Sequence, residues 1–260
     1  MQRRGRYLPE STPHPGKMLP ALARQAIETF SQPGDLVLDP MCGIGTTLVE
    51  AVHLGRDGLG VEYEPRWAVL ASGNLALARA SGATGRGEVV VGDCRHLSSL
   101  VPADAVGQVG LVLTSPPYGP ITHGRFRHDG TRSWKDDSRY SDNKANLAYQ
   151  GRHALLDAVG VMLRDAARVL RPDGHVVLTA RPWRRNGLLI DFPGALVAAA
   201  ERAGLRLLER DVALLAAVRD GQLVPHVSFF QLKQLRVARA GGMPQQAIAH
   251  EDVLVFERPR

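Results

Sequence analysis

Leu36-Val37-Leu38-Asp39-Pro40-Met41-Cys42-Gly43-Ile44-Gly45-Thr46-Thr47 reads as a buried strand that runs into a glycine loop and then into a helix continuing to about Leu54. Its apolar start, closed by a proline, has the length of a strand covered on both faces. Gly43 and Gly45 carry no side chains, so a ligand can come close to the backbone, and the N–H groups of the following helix start face it. The segment Asp39 to Thr46 is therefore a candidate cofactor loop. It predicts an α/β protein built on a doubly wound, mostly parallel sheet.

Downstream, Gly58-Leu59-Gly60-Val61-Glu62-Tyr63-Glu64 is a second strand with an acidic end. Glu62 stands about twenty residues beyond the loop, the spacing at which this fold places a carboxylate on ribose hydroxyls. Taken alone, such a glutamate is an ordinary solvated charge. Glu88-Val89-Val90-Val91-Gly92-Asp93-Cys94 repeats the pattern as a third strand. The fourth, Gly110 to Thr114, stops in Ser115-Pro116-Pro117-Tyr118. Two prolines in succession lack N–H groups and fix φ, so strand pairing ends there and leaves rigid carbonyl acceptors beside an aromatic ring. That combination suits a planar ligand bearing an amino group. An isolated corner of this kind is more often a strand-ending turn with a packed tyrosine. Its weight comes from position, since all four polar strand ends fall on one edge of a parallel sheet, where such sheets bind ligands.

Upstream, His14-Pro15-Gly16-Lys17 leads to Pro20, which suits the first turn of a helix with an apolar face of Leu22, Ala26, Ile27 and Phe30. Beyond the corner, residues 119–149 show no periodicity and read as a long loop. Arg125, Arg127, Arg132, Lys135 and Arg139 alternate there with aromatic residues such as Trp134, as in nucleic-acid-binding loops. A disordered insert with incidental arginines is the plain alternative. Apolar positions from Leu155 to Leu170 recur at helical spacing, Arg171-Pro172-Asp173-Gly174 breaks the helix, and His175 to Ala180 is a fifth strand. Arg181, Trp183, Arg184 and Arg185 form a second basic-aromatic cluster at the same edge. A helix from Phe192 to Ala203 then precedes strands at Leu205 to Val218 and His226 to Arg236, joined at the hairpin signal Asp220-Gly221. A short strand, Val253 to Phe256, ends the tail. The expected architecture is a seven-stranded Rossmann-like sheet with a C-terminal antiparallel hairpin, in one domain over 1–260. Residues 119–149 form its substrate-facing loop and 237–260 its tail.

Composition narrows the class. With 44% hydrophobic and 22% charged residues the chain is an ordinary globular one, and no apolar run is long enough to span a bilayer. The basic start, Met1 to Arg6, leads into prolines rather than an apolar segment, so cytoplasm is the expected location. Cys42 and Cys94 are too few for a disulfide framework and lack zinc-site spacing, so no metal is expected. A net charge of +6, mostly arginine, favours a polyanionic partner.

With glycine loop, acidic strand ends and Ser-Pro-Pro-Tyr corner in this order, the chain resembles S-adenosylmethionine-dependent DNA amino-methyltransferases of the cytosine-N4 and adenine-N6 type. The resemblance runs from about His14 to Val237. It implies S-adenosylmethionine as cofactor, with Asp39, Pro40, Met41, Cys42, Gly43, Gly45 and Thr46 around its methionine part. Glu62 would lie on the ribose, and Asp93 with the Cys94 backbone at the adenine amino group. Lys17 would help to close the site, because His14-Pro15-Gly16-Lys17 resembles the family segment before the glycine loop. Tyr140-Ser141-Asp142-Asn143 resembles a segment found after the catalytic motif in cytosine-N4 members. Ser115, Pro116, Pro117 and Tyr118 would be catalytic: the Ser115 side chain and Pro116 carbonyl hold the amine hydrogens while Tyr118 stacks on the base. Alignment supplies much of the acceleration without a covalent enzyme intermediate. Ser rather than Asp at the first motif position favours cytosine N4, and DNA is the expected partner. Three alternatives stand beside it: an RNA base amino-methyltransferase acting on tRNA or rRNA, a non-catalytic cofactor-binding regulator, and protein glutamine methylation. That last chemistry usually has Asn in front of the Pro-Pro-Tyr corner.

Overall fold

The computed structural model describes residues 2–118, 125–128, 133–136, 140–185, 187–225 and 229–259, with backbone alone for 125–128, 133–136, 225, 229, 230 and 234. Its centre is a seven-stranded sheet. Four parallel strands, β1 (Leu36–Asp39), β2 (Asp57–Glu62), β3 (Gly87–Val91) and β4 (Val109–Thr114), are joined by β7 (Leu170–Ala180), and the order across the sheet is β10-β13-β7-β4-β1-β2-β3. β13 (His250–Glu257) runs antiparallel between β7 and β10 (Arg206–Leu214). Helices α1 (Pro20–Phe30), α2 (Thr46–His53), α3 (Pro65–Ala80), the short α4 (Leu97–Leu100), α5 (Arg152–Val169) and α6 (Phe192–Arg202) cover the two faces.

The sheet is apolar on both sides because its strands alternate between two cores. Leu38, Val112, Val176, Leu178 and Leu254 pack with α5 and α6, whereas Val37, Leu111, Leu113, Val177 and Val255 pack with α1. Each such side chain taken out of water contributes about 1.5–3 kcal/mol, so a one-residue slip of a central strand would exchange two cores at once. A third cluster joins the glycine loop to α2 and α3 through Ile44, Leu48, Trp67, Ala71 and Leu75. Local chemistry sets the helix starts: Pro20 and Pro65 occupy first turns, and the Asp191 carboxylate caps α6 by accepting from the Gly194 N–H at 2.9 Å.

Four expectations change. The stretch 229–240 is helix α7 (Phe229–Ala240), not a strand. Gln, Leu, Lys and Arg dominate it, and these straight-chain residues lose little rotamer freedom in a helix. The turn at Asp220-Gly221 is present, but it closes a small separate ribbon of β11 (Ala216–Arg219) and β12 (Gln222–Pro225). The antiparallel member of the main sheet is instead β13, whose continuous Val253-Leu254-Val255-Phe256 run marks a strand buried on both faces. Within 119–149 lies a ribbon of β5 (Arg125–His128) and β6 (Ser133–Asp136), followed by a 3-10 turn at Leu147–Tyr149.

The N-terminal arm is tied to the glycine loop through Asn74 of α3, which is fully buried. Its Oδ1 accepts from the Leu8 N–H at 2.8 Å, and its Nδ2 donates to Ser11 Oγ and to the Ile44 carbonyl, each at 2.9 Å. Asn74→Ala strands several buried polar groups at about 1–3 kcal/mol each, so urea denaturation is expected to show a loss of about 2–4 kcal/mol. Unchanged stability would show that the arm and loop are held by other contacts.

Candidate active site

Parallel topology brings the carboxyl ends of β1, β2, β3, β4 and β7 to one edge, and β1 has β2 on one side and β4 on the other. That reversal of strand order opens a crevice. Here it is a cavity of about 420 Å³ bounded by Asp39, Glu62, Asp93 and Ser115 at successive strand ends and by His14 and Tyr140 from outside the sheet.

Gly43 (φ 54°) and Gly45 (φ 78°) both adopt the left-handed backbone that favours glycine. Gly43 is at the cavity wall, and a Cβ there would lie 3.0 Å from His14 Nε2. Gly45 serves packing instead: its Cβ would meet Ala71 of α3 at 3.2 Å. Pro40, Met41, Cys42 and Thr46 line the cavity. Asp39 shapes the loop, accepting from Thr47 Oγ1 at 2.7 Å and from the Met41 N–H at 3.1 Å. Glu62 clamps it from β2, accepting from the N–H groups of Gly43 and Glu64, each at 2.8 Å. Burial pushes the two carboxyls up, Asp39 to about 6 against threonine hydroxyls and the Met41 N–H, and Glu62 to about 7 against the N–H groups of Glu64 and Gly43, all of which favour the ionised forms.

Asp93 accepts from the Arg95 N–H at 2.9 Å and pairs with its guanidinium. Burial raises its pKa, but the hydrogen bonds from Arg95 outweigh that and hold the carboxyl below its ordinary value. Cys42 and Cys94 are buried free thiols, Cys42 raised well above its usual range and Cys94 pushed up to about 12, chiefly by burial. Both are thus poor nucleophiles at neutral pH. Lys17 lines the cavity, yet its Nζ donates to the carbonyls of Thr12 at 2.9 Å and His14 at 2.6 Å, which fastens the His14–Lys17 turn.

Several wall residues entered the sequence reading only as members of family-like segments, as His14, Tyr140 and Asn143 did, or had no site role there. His14, 2% exposed, meets Trp67 and Tyr140 edge-on with centroids 4.6 and 4.9 Å apart, and neither ring nitrogen has a hydrogen-bond partner among the described residues. Burial, with help from Lys17, pulls its pKa down to about 3, so the ring is neutral at physiological pH. The segment from Tyr140 to Ala148 closes the cavity over β2. The Tyr140 carbonyl accepts from Trp67 Nε1 at 2.8 Å, Asn143 Nδ2 donates to the Tyr63 hydroxyl at 3.0 Å, and Asn146 Nδ2 donates to Glu64 Oε1 at 3.0 Å.

At the other end, Tyr118 sits in an aromatic cluster, 6.1 Å from Trp183 and 5.9 Å from Phe192. Burial raises its hydroxyl pKa, and that hydroxyl lies beside the Ser115 side chain and the Arg181 backbone. Arg181 and Trp183 line the cavity with Ser115, Pro116 and Pro117, joined by Glu251 from β13. Arg184 and Arg185 lie off the cavity on a ribbon of β8 (Trp183–Arg185) and β9 (Leu188–Ile190), where Arg184 donates to the Gly187 carbonyl at 3.2 Å. The side chains of Arg125, Arg127, Trp134 and Lys135, and all of Arg132 and Arg139, lie outside the described residues.

The sheet and glycine loop have the Rossmann-like fold that solved S-adenosylmethionine-dependent methyltransferases share. The cofactor of that class is S-adenosylmethionine, with which one solved structure of the same fold is occupied. The wall fits it: backbone at Gly43 for close approach, an acidic acceptor at the end of β2, and apolar Met41 and Leu147 nearby. A family model described as DNA methylase, N6_N4 type, matches residues 2–72, which hold the N-terminal arm, the glycine loop and β2. Over 111 residues the chain is 33% identical to a tRNA (guanine(10)-N2)-dimethyltransferase of Methanocaldococcus jannaschii, covering 42% of this chain and 31% of that protein. Over 53 residues it is 34% identical to the type II methyltransferase M.MjaII of the same organism, covering 20% of this chain and 10% of the relative. The chain therefore spans less than a third of these relatives' lengths. TrmN from Thermus thermophilus superposes with a TM-score of 0.57 at 20% identity, over 99% of this chain and 53% of that one. No described helix is long and apolar enough to cross a membrane.

Proposed function

We propose that this chain transfers a methyl group from S-adenosylmethionine to an exocyclic amino group of a nucleic-acid base, cytosine N4 in DNA. The observation that carries this reading is that the glycine loop and the Ser115-Pro116-Pro117-Tyr118 corner open into one cavity. When bound, the cofactor supplies an electrophilic methyl group on a sulfonium.

The chain's own residues do the rest. Glu62 keeps lone pairs for ribose hydroxyls while bracing the Gly43 turn, and the Cys94 backbone with Asp93 faces the adenine. An exocyclic amine conjugated to its ring is a poor nucleophile. Ser115 Oγ and the Pro116 carbonyl accept its hydrogens and favour a more tetrahedral nitrogen, and Tyr118 stacks on the ring. In a duplex the base reaches this corner only after extrusion, and the arginines of 119–149 together with Arg184 and Arg185 hold the flanking phosphates. Serine at the first motif position supports cytosine over adenine, and the DNA methylase match supports DNA.

A second reading rests on a specific observation: a relative matched over 111 residues is a tRNA (guanine(10)-N2)-dimethyltransferase. Tritiated-methyl transfer from S-adenosylmethionine to DNA, total RNA and protein separates the two. Label in DNA is expected; label confined to RNA would establish the second reading, and label in protein alone would overturn both.

A further inference from the structure

The floor of the corner holds a charged pair that the transfer chemistry itself does not use. β13 runs antiparallel to β7, and the register places Asp252 opposite Ala180, so Glu251 and Arg181 fall side by side where the two strands meet the cavity. Arg181 Nε stands 3.8 Å from Glu251 Oε1, beyond hydrogen-bond distance, and it is buried without a hydrogen-bond partner among the described residues. The neighbouring Trp183 Nε1 is a second buried donor in the same condition. Glu251 is mostly buried, at 17% side-chain exposure, while the Arg181 side chain keeps 36% and lines the cavity with Ser115 and Tyr118. Folded proteins rarely leave such donors unpaired, because each is costly unless a ligand supplies an acceptor.

A base whose amine is gripped by Ser115 and Pro116 turns its ring edge toward this floor. Cytosine then offers two acceptors in a row beyond N4, namely N3 and O2. Adenine offers one acceptor beyond N6, followed by a C–H. Guanine, gripped by N2, offers the N1–H donor on one side. The first pattern gives the two unpartnered donors, Arg181 Nε and Trp183 Nε1, the most acceptors, while the Glu251 carboxylate faces the guanidinium.

We infer that Arg181, held in place by Glu251, reads the N3 and O2 edge of the extruded cytosine and so determines which base is methylated. This rests on the methyl-transfer reading above. Arg181 is the binding group, and Glu251 is a positioning residue acting through the guanidinium.

The test uses the full chain and a duplex carrying a cytosine that the wild type methylates in whole-genome-amplified DNA, beside the same duplex with 3-deazacytosine at that position. The analogue keeps the amine and O2 but has C–H in place of N3. Arg181→Leu and the isosteric Glu251→Gln are expected to lower kcat/KM on cytosine by about 10- to 100-fold, the range for losing one good base-edge contact. On 3-deazacytosine, where O2 alone remains for the guanidinium, the loss caused by either substitution should be severalfold smaller than on cytosine, and calorimetric S-adenosylmethionine binding should stay unchanged in both variants. If Arg181→Leu fails to melt cooperatively, Glu251→Gln supplies the same comparison. Equal losses on both duplexes would show a merely structural role and overturn the inference, as would wild-type rates in both variants. Transfer by the wild type to no cytosine at all would instead bring down the reading on which the inference rests. The two failures are distinguishable because only the second removes wild-type activity.

Discussion

Ser115→Ala is expected to lower kcat by about 100-fold, the range found when one preorganised polar partner of a reacting group is removed. Tyr118→Ala should cost about 10- to 100-fold in kcat/KM, since stacking on an extruded base contributes about 1–3 kcal/mol. Neither side chain belongs to the glycine-loop end of the cavity, so S-adenosylmethionine affinity by calorimetry should stay within about twofold, well under the tenfold that 1.4 kcal/mol represents. The Tyr118 effect should surpass a lost surface aromatic, because the ring also supports Trp183 and Phe192, whose centroids are 5.0 Å apart. Full transfer activity in both variants would remove the corner from the reaction.

Glu62→Ala should act at the opposite end. Without the carboxylate, the N–H groups of Gly43 and Glu64 lose their acceptor, and the turn that brings Gly43 to the cavity wall loses its clamp. A loss of at least about tenfold in S-adenosylmethionine affinity is expected, equivalent to one buried hydrogen bond. The shift of Glu62 also gives a pH signature. Burial raises the folded-state carboxyl from 4.5 to about 7, so between these values the folded chain holds a proton that the unfolded chain has released. This group's contribution to stability therefore falls as pH rises from about 4.5 to 7. Cofactor affinity runs the other way, because the ionised form is the better acceptor: it should weaken as pH drops below about 7, and Glu62→Gln should flatten that dependence. Asp39→Ala, which frees Thr47 and the Met41 N–H, should also weaken binding. Unchanged affinity in both alanine variants would show that the loop does not hold the cofactor.

The parts of this site that were legible in advance are local ones. A strand, a pair of glycines and a helix start are written within Leu36 to Leu54, and the acidic ends of β2 and β3 follow from strand order alone. Even there the two glycines looked equivalent, and only the approach of Ala71 separates the packing role of Gly45 from the wall role of Gly43. What could not be read depends on distant contacts. His14 lies against Trp67 and Tyr140, and Asn146 reaches Glu64 across 82 positions. Glu251 was hidden because the tail read as a short terminal strand, when β13 is an internal strand whose first residues emerge at the cavity. Of the strand expected over 226–236, residues 226–228 lie outside the described ones, and the rest failed for a different reason: Leu232 and Leu235 are spaced by three, a helical period, among straight-chain polar residues.

The most direct measurement is mass spectrometry of nucleosides from whole-genome-amplified DNA and from unmodified RNA transcripts, each incubated with the chain and S-adenosylmethionine. The account predicts N4-methylcytidine as its deoxynucleoside, present with the wild type and lost with Ser115→Ala. A product confined to N2-methylguanosine in RNA, or no methylated nucleoside in either polymer, would contradict it.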